Sequence, residues 1–261
     1  MNIPGKFSEL QARGEGALIA YVCAGDPTPD ATEGIVKALI RGGADIVELG
    51  LPFSDPVADG PTIQAASERA LSAGMNTDRY FELVGSLDVK VPLVCMTYYN
   101  LIFKRGLENF VVDCTDAGIS GIIVPDLPVE ESKELAECCA RNKVDLIFLI
   151  APTTTEGRIN MILEHGSGFM YLVSRVGVTG ARSDIAESTS GLLSRVKTDI
   201  PKAVGFGIST GKQAQEVVVN GADAVIAGSV FVDIIASGYD VNARLEELAI
   251  ELKDGILSAK R

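Results

Sequence analysis

The sequence predicts an α/β fold, a TIM (β/α)8 barrel with an extra N-terminal helix and a short extra helix after strand 8. Three observations lead there. Short β-branched apolar runs alternate with longer stretches of 3.6-residue periodicity, the pattern of a parallel sheet with helical crossovers. Eight such runs fit within 261 residues, about the length of one closed barrel. The helix-to-strand joints repeat one signature, Arg41-Gly-Gly-Ala-Asp45, Asp116-Ala-Gly-Ile-Ser-Gly121 and Asn220-Gly-Ala-Asp-Ala224, and glycine suits the left-handed turn that ends a helix.

The elements follow in order. A leading helix is expected at 3–13, then strands at 17–22, 45–49, 92–96, 121–124, 145–150, 169–173, 203–206 and 224–227. Seven segments between them read as helices, among them 30–41, 130–142 and 211–220, and a last helix is expected at 241–257. A short helical stretch at 230–235 follows the eighth strand. No Pro/Ser linker or composition shift divides the chain, so residues 1–261 are read as a single TIM-barrel domain. A hydrophobic content of 47% supplies a sizeable core.

Composition narrows the function classes. A net charge of −12 without clustered Lys and Arg disfavours nucleic acid. A small anionic substrate stays possible, because backbone amides hold a phosphate without net positive charge. The N-terminus lacks an apolar signal segment, and the longest apolar runs are too short to span a bilayer, so no membrane is implied. Five scattered cysteines, Cys23, Cys95, Cys114, Cys138 and Cys139, show no metal-ligand spacing and read as reduced packing residues of a cytoplasmic protein.

A barrel of this kind keeps its chemistry at the C-terminal strand ends. After strands seven and eight come Gly205-Phe-Gly-Ile-Ser209 and Ala227-Gly-Ser229, the latter just before the short helix. Glycines there let amides approach an anion, and the helix dipole adds positive potential, so this pair of loops is the expected phosphate site. Gly180, after strand six, is a further candidate. The single histidine, His165, falls at the end of the fifth helix, away from those loops, and no lysine lies inside a strand or at its C-terminal end. Histidine-based nucleophilic catalysis and Schiff-base chemistry therefore lack their groups, and carboxylates must move the protons.

Glu48 is the leading candidate. It lies within Ile46-Val-Glu-Leu-Gly50, and strand alternation sets Ile46 and Glu48 on one face and Asp45, Val47 and Leu49 on the other. An inward Glu48 opens on the barrel mouth, where burial raises its pKa toward neutrality, as a general acid needs. Asp59 sits in the loop after strand two. Pro56 and Pro61 stiffen the loop ends and Gly60 permits a sharp bend, so Asp59 is expected on a lid. Asp55 reads as a turn former or an interface residue, and Asp26 and Asp126, each beside a proline, read as turn formers.

The run Val47-Glu-Leu-Gly-Leu-Pro-Phe-Ser-Asp-Pro-Val-Ala-Asp-Gly-Pro-Thr-Ile-Gln64 resembles the signature of tryptophan synthase alpha chains. Val124-Pro-Asp-Leu-Pro-Val-Glu-Glu-Ser132, Tyr171-Leu-Val-Ser-Arg-Val-Gly-Val-Thr-Gly180 and Gly205-Phe-Gly-Ile-Ser209 resemble the family's later motifs in the same order, so the likeness spans essentially the whole chain. The resemblance implies a carbon–carbon lyase that cleaves indole-3-glycerol phosphate to indole and glyceraldehyde 3-phosphate in tryptophan biosynthesis. Glu48 would be the acid–base and Asp59 would hold the indole N–H. It also implies that Tyr21, Ile63, Tyr98, Tyr171 and Phe206 serve the indole pocket, and that Thr179 helps close loop six. The phosphate would rest on Gly180, Gly207, Gly228 and Ser229. No cofactor is implied in this chain. Pyridoxal phosphate would belong to a partner beta subunit in an α2β2 assembly, reached through mouth loops around residues 52–56 and Asn100. Tyr21 stands where the family often has Phe, Pro125 where Ala is common, and Val176 where a small residue is usual. Two alternatives remain open: another phosphate-binding barrel isomerase or aldolase, and a non-catalytic barrel that activates a partner enzyme.

Overall fold

A computed structural model of the chain describes residues 2–173, 182–205 and 207–259, with the backbone alone at 182–188. Its strands are β1 (Ala17–Cys23), β2 (Ile46–Gly50), β3 (Leu93–Met96), β4 (Ile119–Ile123), β5 (Asp145–Ile147), β6 (Leu149–Ile150), β7 (Met170–Val173), β8 (Lys202–Gly205) and β9 (Ala224–Ala227). Every pairing is parallel, in the order β5-β4-β3-β2-β1-β9-β8-β7-β6.

The expected fifth strand at 145–150 is divided at Phe148, so nine strands make eight staves. The division lies where the chain changes hydrogen-bonding neighbour. β5 pairs with β4, whereas β6 pairs with β7, so the two ends of the sheet meet in one stretch of backbone and the barrel closes. Ser167 N–H donates to the Leu146 carbonyl and Tyr171 N–H to that of Phe148, each at 3.0 Å, stitching this seam.

The helices are α1 (Ile3–Ala12), α2 (Pro29–Arg41), α3 (Pro61–Ser72), α4 (Thr77–Ser86), α5 (Tyr99–Arg105), α6 (Leu107–Asp116), α7 (Lys133–Asn142), α8 (Glu156–His165), α9 (Arg182–Arg195), α10 (Gly211–Val219), α11 (Ser229–Ser237) and α12 (Val241–Leu257). The crossovers from β2 and from β3 each carry two helices where one was expected. The helix expected at 130–142 starts later, after a 3-10 turn at Val129–Glu131, where the buried Ser132 hydroxyl donates to the Val129 carbonyl at 2.8 Å. The short helix after the last strand is longer than expected, at Ser229–Ser237. At the repeated joints, Gly43, Gly118 and Gly221 have φ of 99°, 78° and 99°, the left-handed region that a β-carbon disfavours.

Two apolar cores follow from strand alternation. Outward residues such as Leu18, Val47 and Leu49 pack under the helices with Tyr80, Phe110 and Phe231. Inward residues Ile19, Ile46, Val94 and Ile147 fill the lower barrel with Ile3, Phe7 and Leu10 of α1, which plugs its N-terminal end. Burial of side chains this size stabilises by roughly 1.5–3 kcal/mol each. The plug is close-fitting, since a β-carbon on Gly121 would come within 2.7 Å of Ile3 Cδ1. Asn2 starts α1 by accepting the Gly5 N–H on its side chain at 3.0 Å.

Candidate active site

Filled below by apolar side chains, the barrel opens above into a cavity of about 260 Å³ at the C-terminal strand ends. Glu48 stands in its wall. The alternation along β2 that sends Val47 and Leu49 into the outer core turns Glu48 inward, and its strand pairing makes it the lateral neighbour of Tyr21 in β1. Glu48 is 2% exposed, and its Oε2 has no hydrogen-bond partner among the described residues. Burial, helped by the charge of Asp59, pushes its carboxyl up to about 8. A buried carboxyl without a cationic partner holds its proton near neutral pH.

Asp59 lines the same cavity from the loop after β2. Its backbone is tied on both sides: its N–H donates to the Pro56 carbonyl at 3.1 Å, and Gln64 Nε2 donates to its carbonyl at 2.8 Å. Burial raises the Asp59 carboxyl above the ordinary aspartate range, and a hydrogen bond from Tyr98 acts the other way. Gly60 has φ −75° and caps α3, with Pro61 as the first helical residue. The sharp bend expected of Gly60 is absent, because Pro61 fits the first helical turn without one.

Tyr98 stands outside the cavity wall, although the resemblance puts it in the indole pocket. It is buried, and its hydroxyl accepts the Ala58 N–H at 3.1 Å beside Asp59. Its ring stacks on Phe53 with centroids 5.4 Å apart. Tyr21, Ile63 and Tyr171 do line the cavity with Glu48 and Asp59. Gly207, Gly228 and Ser229 form its far side. Gly207 has φ +70°, and Gly228 caps α11, whose first amides are available to an anion. Phe206, Val176, Thr179 and Gly180 lie outside the described residues.

Several participants were not singled out from the sequence. Met96, Ile123, Leu149 and Ile226 complete the apolar wall, and two-residue alternation at the strand ends could have found them. Asp26 is more than a turn former. It is fully buried and makes a two-pronged ion pair with Arg69 of α3 at 2.7 and 2.8 Å, anchoring the helix that follows Asp59. Asp126 accepts the Tyr99 N–H at 2.9 Å and so caps α5 from the neighbouring loop. His165 is exposed, its Nδ1 3.0 Å from the Met161 carbonyl at the end of α8. Among the described residues, no lysine lines the cavity. Nor, among them, do three His, Cys, Asp or Glu side chains gather so as to hold a metal ion. No described helix is long and apolar enough to cross a membrane.

Comparison with known proteins gives one consistent answer. The family model described as tryptophan synthase alpha chain matches residues 7–256. The tryptophan synthase alpha chain of Methanosarcina acetivorans is 68% identical over 98% of this chain and 94% of that one. That of Methanosarcina barkeri is 67% identical over 98% of each. Among solved structures, tryptophan synthase subunit alpha from Legionella pneumophila superposes with a TM-score of 0.90 at 32% identity, covering 98% of both chains. A chain of the tryptophan synthase of M. tuberculosis, in an aminoacrylate-bound form, gives 0.88 at 33% identity, over 97% of this chain and 98% of that one.

Proposed function

This chain belongs to the tryptophan synthase alpha chain family and is a lyase acting on indole-3-glycerol phosphate, and on that premise we propose that Glu48 and Asp59 carry the proton chemistry of the cleavage. The observation that carries this reading is the raised, unpartnered carboxyl of Glu48 in the cavity wall, across from Asp59.

The reaction needs an acid and then a base. Indole leaves as a neutral molecule only if C3 of the ring is protonated first. A Glu48 carboxyl that keeps its proton to about pH 8 can supply it. The protonated ring carries positive charge toward its nitrogen, where the Asp59 carboxylate accepts the N–H and stabilises that charge. The ionised Glu48 then takes the proton of the chain hydroxyl next to the scissile bond. The O–H electrons form the aldehyde C=O, the C–C electrons return to the ring, and Glu48 ends protonated as it began. A cavity walled by Ile63, Leu149 and Ile226 suits the apolar ring. The phosphate would rest on the amides of Gly180, Gly207, Gly228 and Ser229, Phe206 would add to the indole pocket and Thr179 would help close loop six, with Gly180, Thr179 and Phe206 beyond the described residues.

We assign these steps to one catalytic domain spanning residues 1–261 that works with a pyridoxal-phosphate-bearing beta subunit in an α2β2 assembly. The cofactor would sit in the partner, since among the described residues no lysine amine lines this cavity to attach it. The loop at 52–56 and Asn100 would form the contact, and the exposed Val57 and Phe103 offer apolar surface on the same loop and helix. Five free, buried cysteines suit a reducing cytoplasm. The test follows indole release from indole-3-glycerol phosphate, with and without the beta subunit. Wild-type protein that releases no indole beside its partner ends this reading. Glu48→Gln should stop cleavage while a phosphate-bearing analogue still binds.

A further inference from the structure

Resting on that reading, we infer that Tyr21 is a further substrate-contacting residue: its hydroxyl donates a hydrogen bond to the glycerol-chain hydroxyl beside the bond that breaks. The ring of Tyr21 spans two glycines. A β-carbon on Gly228 would lie 3.3 Å from both Cβ and Cδ1 of Tyr21, and one on Gly50 would collide with the Tyr21 hydroxyl. Gly228 caps α11 at the phosphate end of the cavity, whereas Gly50 ends β2 two residues beyond Glu48. Tyr21 therefore runs along one wall from the phosphate cradle to the two carboxylates. A three-carbon chain joining a phosphate to indole C3 must follow that same path.

The far end of this ring carries the only polar atom of the side chain, and the titratable groups near it are Cys23, Asp59, Glu48 and Tyr98. Burial, reinforced by those neighbours, pushes the phenol well above 10, so it keeps its proton and acts as a donor. The oxygen that gives its proton to Glu48 gathers negative charge as the C–C bond stretches, and a fixed donor stabilises charge that develops there. Tyr21 transfers no proton, and the balance of the step is unchanged. Phenylalanine, which the family often has at this position, lacks this donor.

Tyr21→Phe removes one oxygen and keeps the ring. The variant and wild type are compared in cleavage of indole-3-glycerol phosphate and in binding of indole-3-propanol phosphate, whose chain has no hydroxyl. The expected result is a loss of roughly three- to tenfold in kcat/KM, carried mainly by kcat, the scale of one hydrogen bond, with equal affinity for the hydroxyl-free analogue. That binding also reports an intact fold. Unchanged cleavage by the variant overturns the inference, as does an equal loss of affinity for the analogue, which would mark a role in ring packing alone. Wild-type protein that cleaves nothing overturns the lyase reading first, a result distinct from either.

Discussion

Asp45 and Glu48 lie three residues apart at opposite ends of the same stave, and the fold treats them in opposite ways. At the bottom, Asp45 Oδ2 accepts from the Leu18 N–H at 2.8 Å and from Lys253 Nζ at 2.7 Å, and Lys253 also donates to the Gly16 carbonyl at 3.0 Å. At the top, Glu48 is just as secluded, but its Oε2 has no partner and its carboxyl rises to about 8. The lower carboxylate joins α12 to the barrel floor. The upper one is left ready to exchange a proton. Seclusion alone therefore decides nothing, and the partners supplied to the carboxylate set its use.

The largest test of this contrast is Glu48→Gln. Loss of a general acid–base should lower turnover by roughly 10²- to 10⁴-fold. The same change should help the fold at alkaline pH. With a folded pKa near 8 and an unfolded one near about 4.3, the folded chain binds this proton more tightly. The wild type then loses stability as pH rises between those values, by up to about 5 kcal/mol, and loses no more beyond. Denaturant melts at pH 5 and pH 8 should show the variant's advantage growing with pH. In the wild type, kcat/KM should fall as pH rises through about 8, as the acid form of Glu48 is lost. A stability advantage that does not change with pH would break the top half of the comparison.

Lys253→Ala tests the bottom half. It leaves Asp45 secluded without its cation and should cost about 3–5 kcal/mol, read by the same melts. Turnover per folded molecule should be unchanged at moderate temperature. A loss of turnover without a loss of stability would mean the two ends are not separable.

A smaller effect is expected from Tyr98→Phe, which removes the hydroxyl that takes the Ala58 N–H and bonds Asp59. Turnover should fall about three- to tenfold, the scale of one hydrogen bond. Because that bond lowers the Asp59 pKa, its removal should move the acid limb of the pH–rate profile to higher pH. An unmoved acid limb would remove Tyr98 from the positioning of Asp59. Smallest of all, Asn2→Ala takes the cap from α1 and should cost about 1 kcal/mol without touching turnover.

Much of this molecule was legible beforehand because it rests on local rules. The joints at Gly43, Gly118 and Gly221 adopt the left-handed turn their sequence signature required. Glu48 points inward because β2 alternates as its apolar residues demanded. Other features escaped because they join distant parts of the chain. Nothing near Asp26 in sequence announces Arg69, 43 residues away. Tyr98 reaches Ala58 across 40 residues, and its hydroxyl faces the loop because β3 ends beside that loop in the barrel. Phe148 divides a strand that looks continuous, since its change of neighbour depends on where the barrel closes.

By itself the sequence determined the barrel, the inward carboxylate on the second stave and the glycine loops after the last two staves, all consequences of periodicity and of what glycine allows. Tertiary structure alone decided which carboxylate would have partners. Lys253 reaches Asp45 from α12, 208 residues further along the chain, and no cation arrives at Glu48 among the described residues. A pKa depends on what surrounds the group in space, and only the closed barrel, with its last helix returned to the floor, fixes those surroundings.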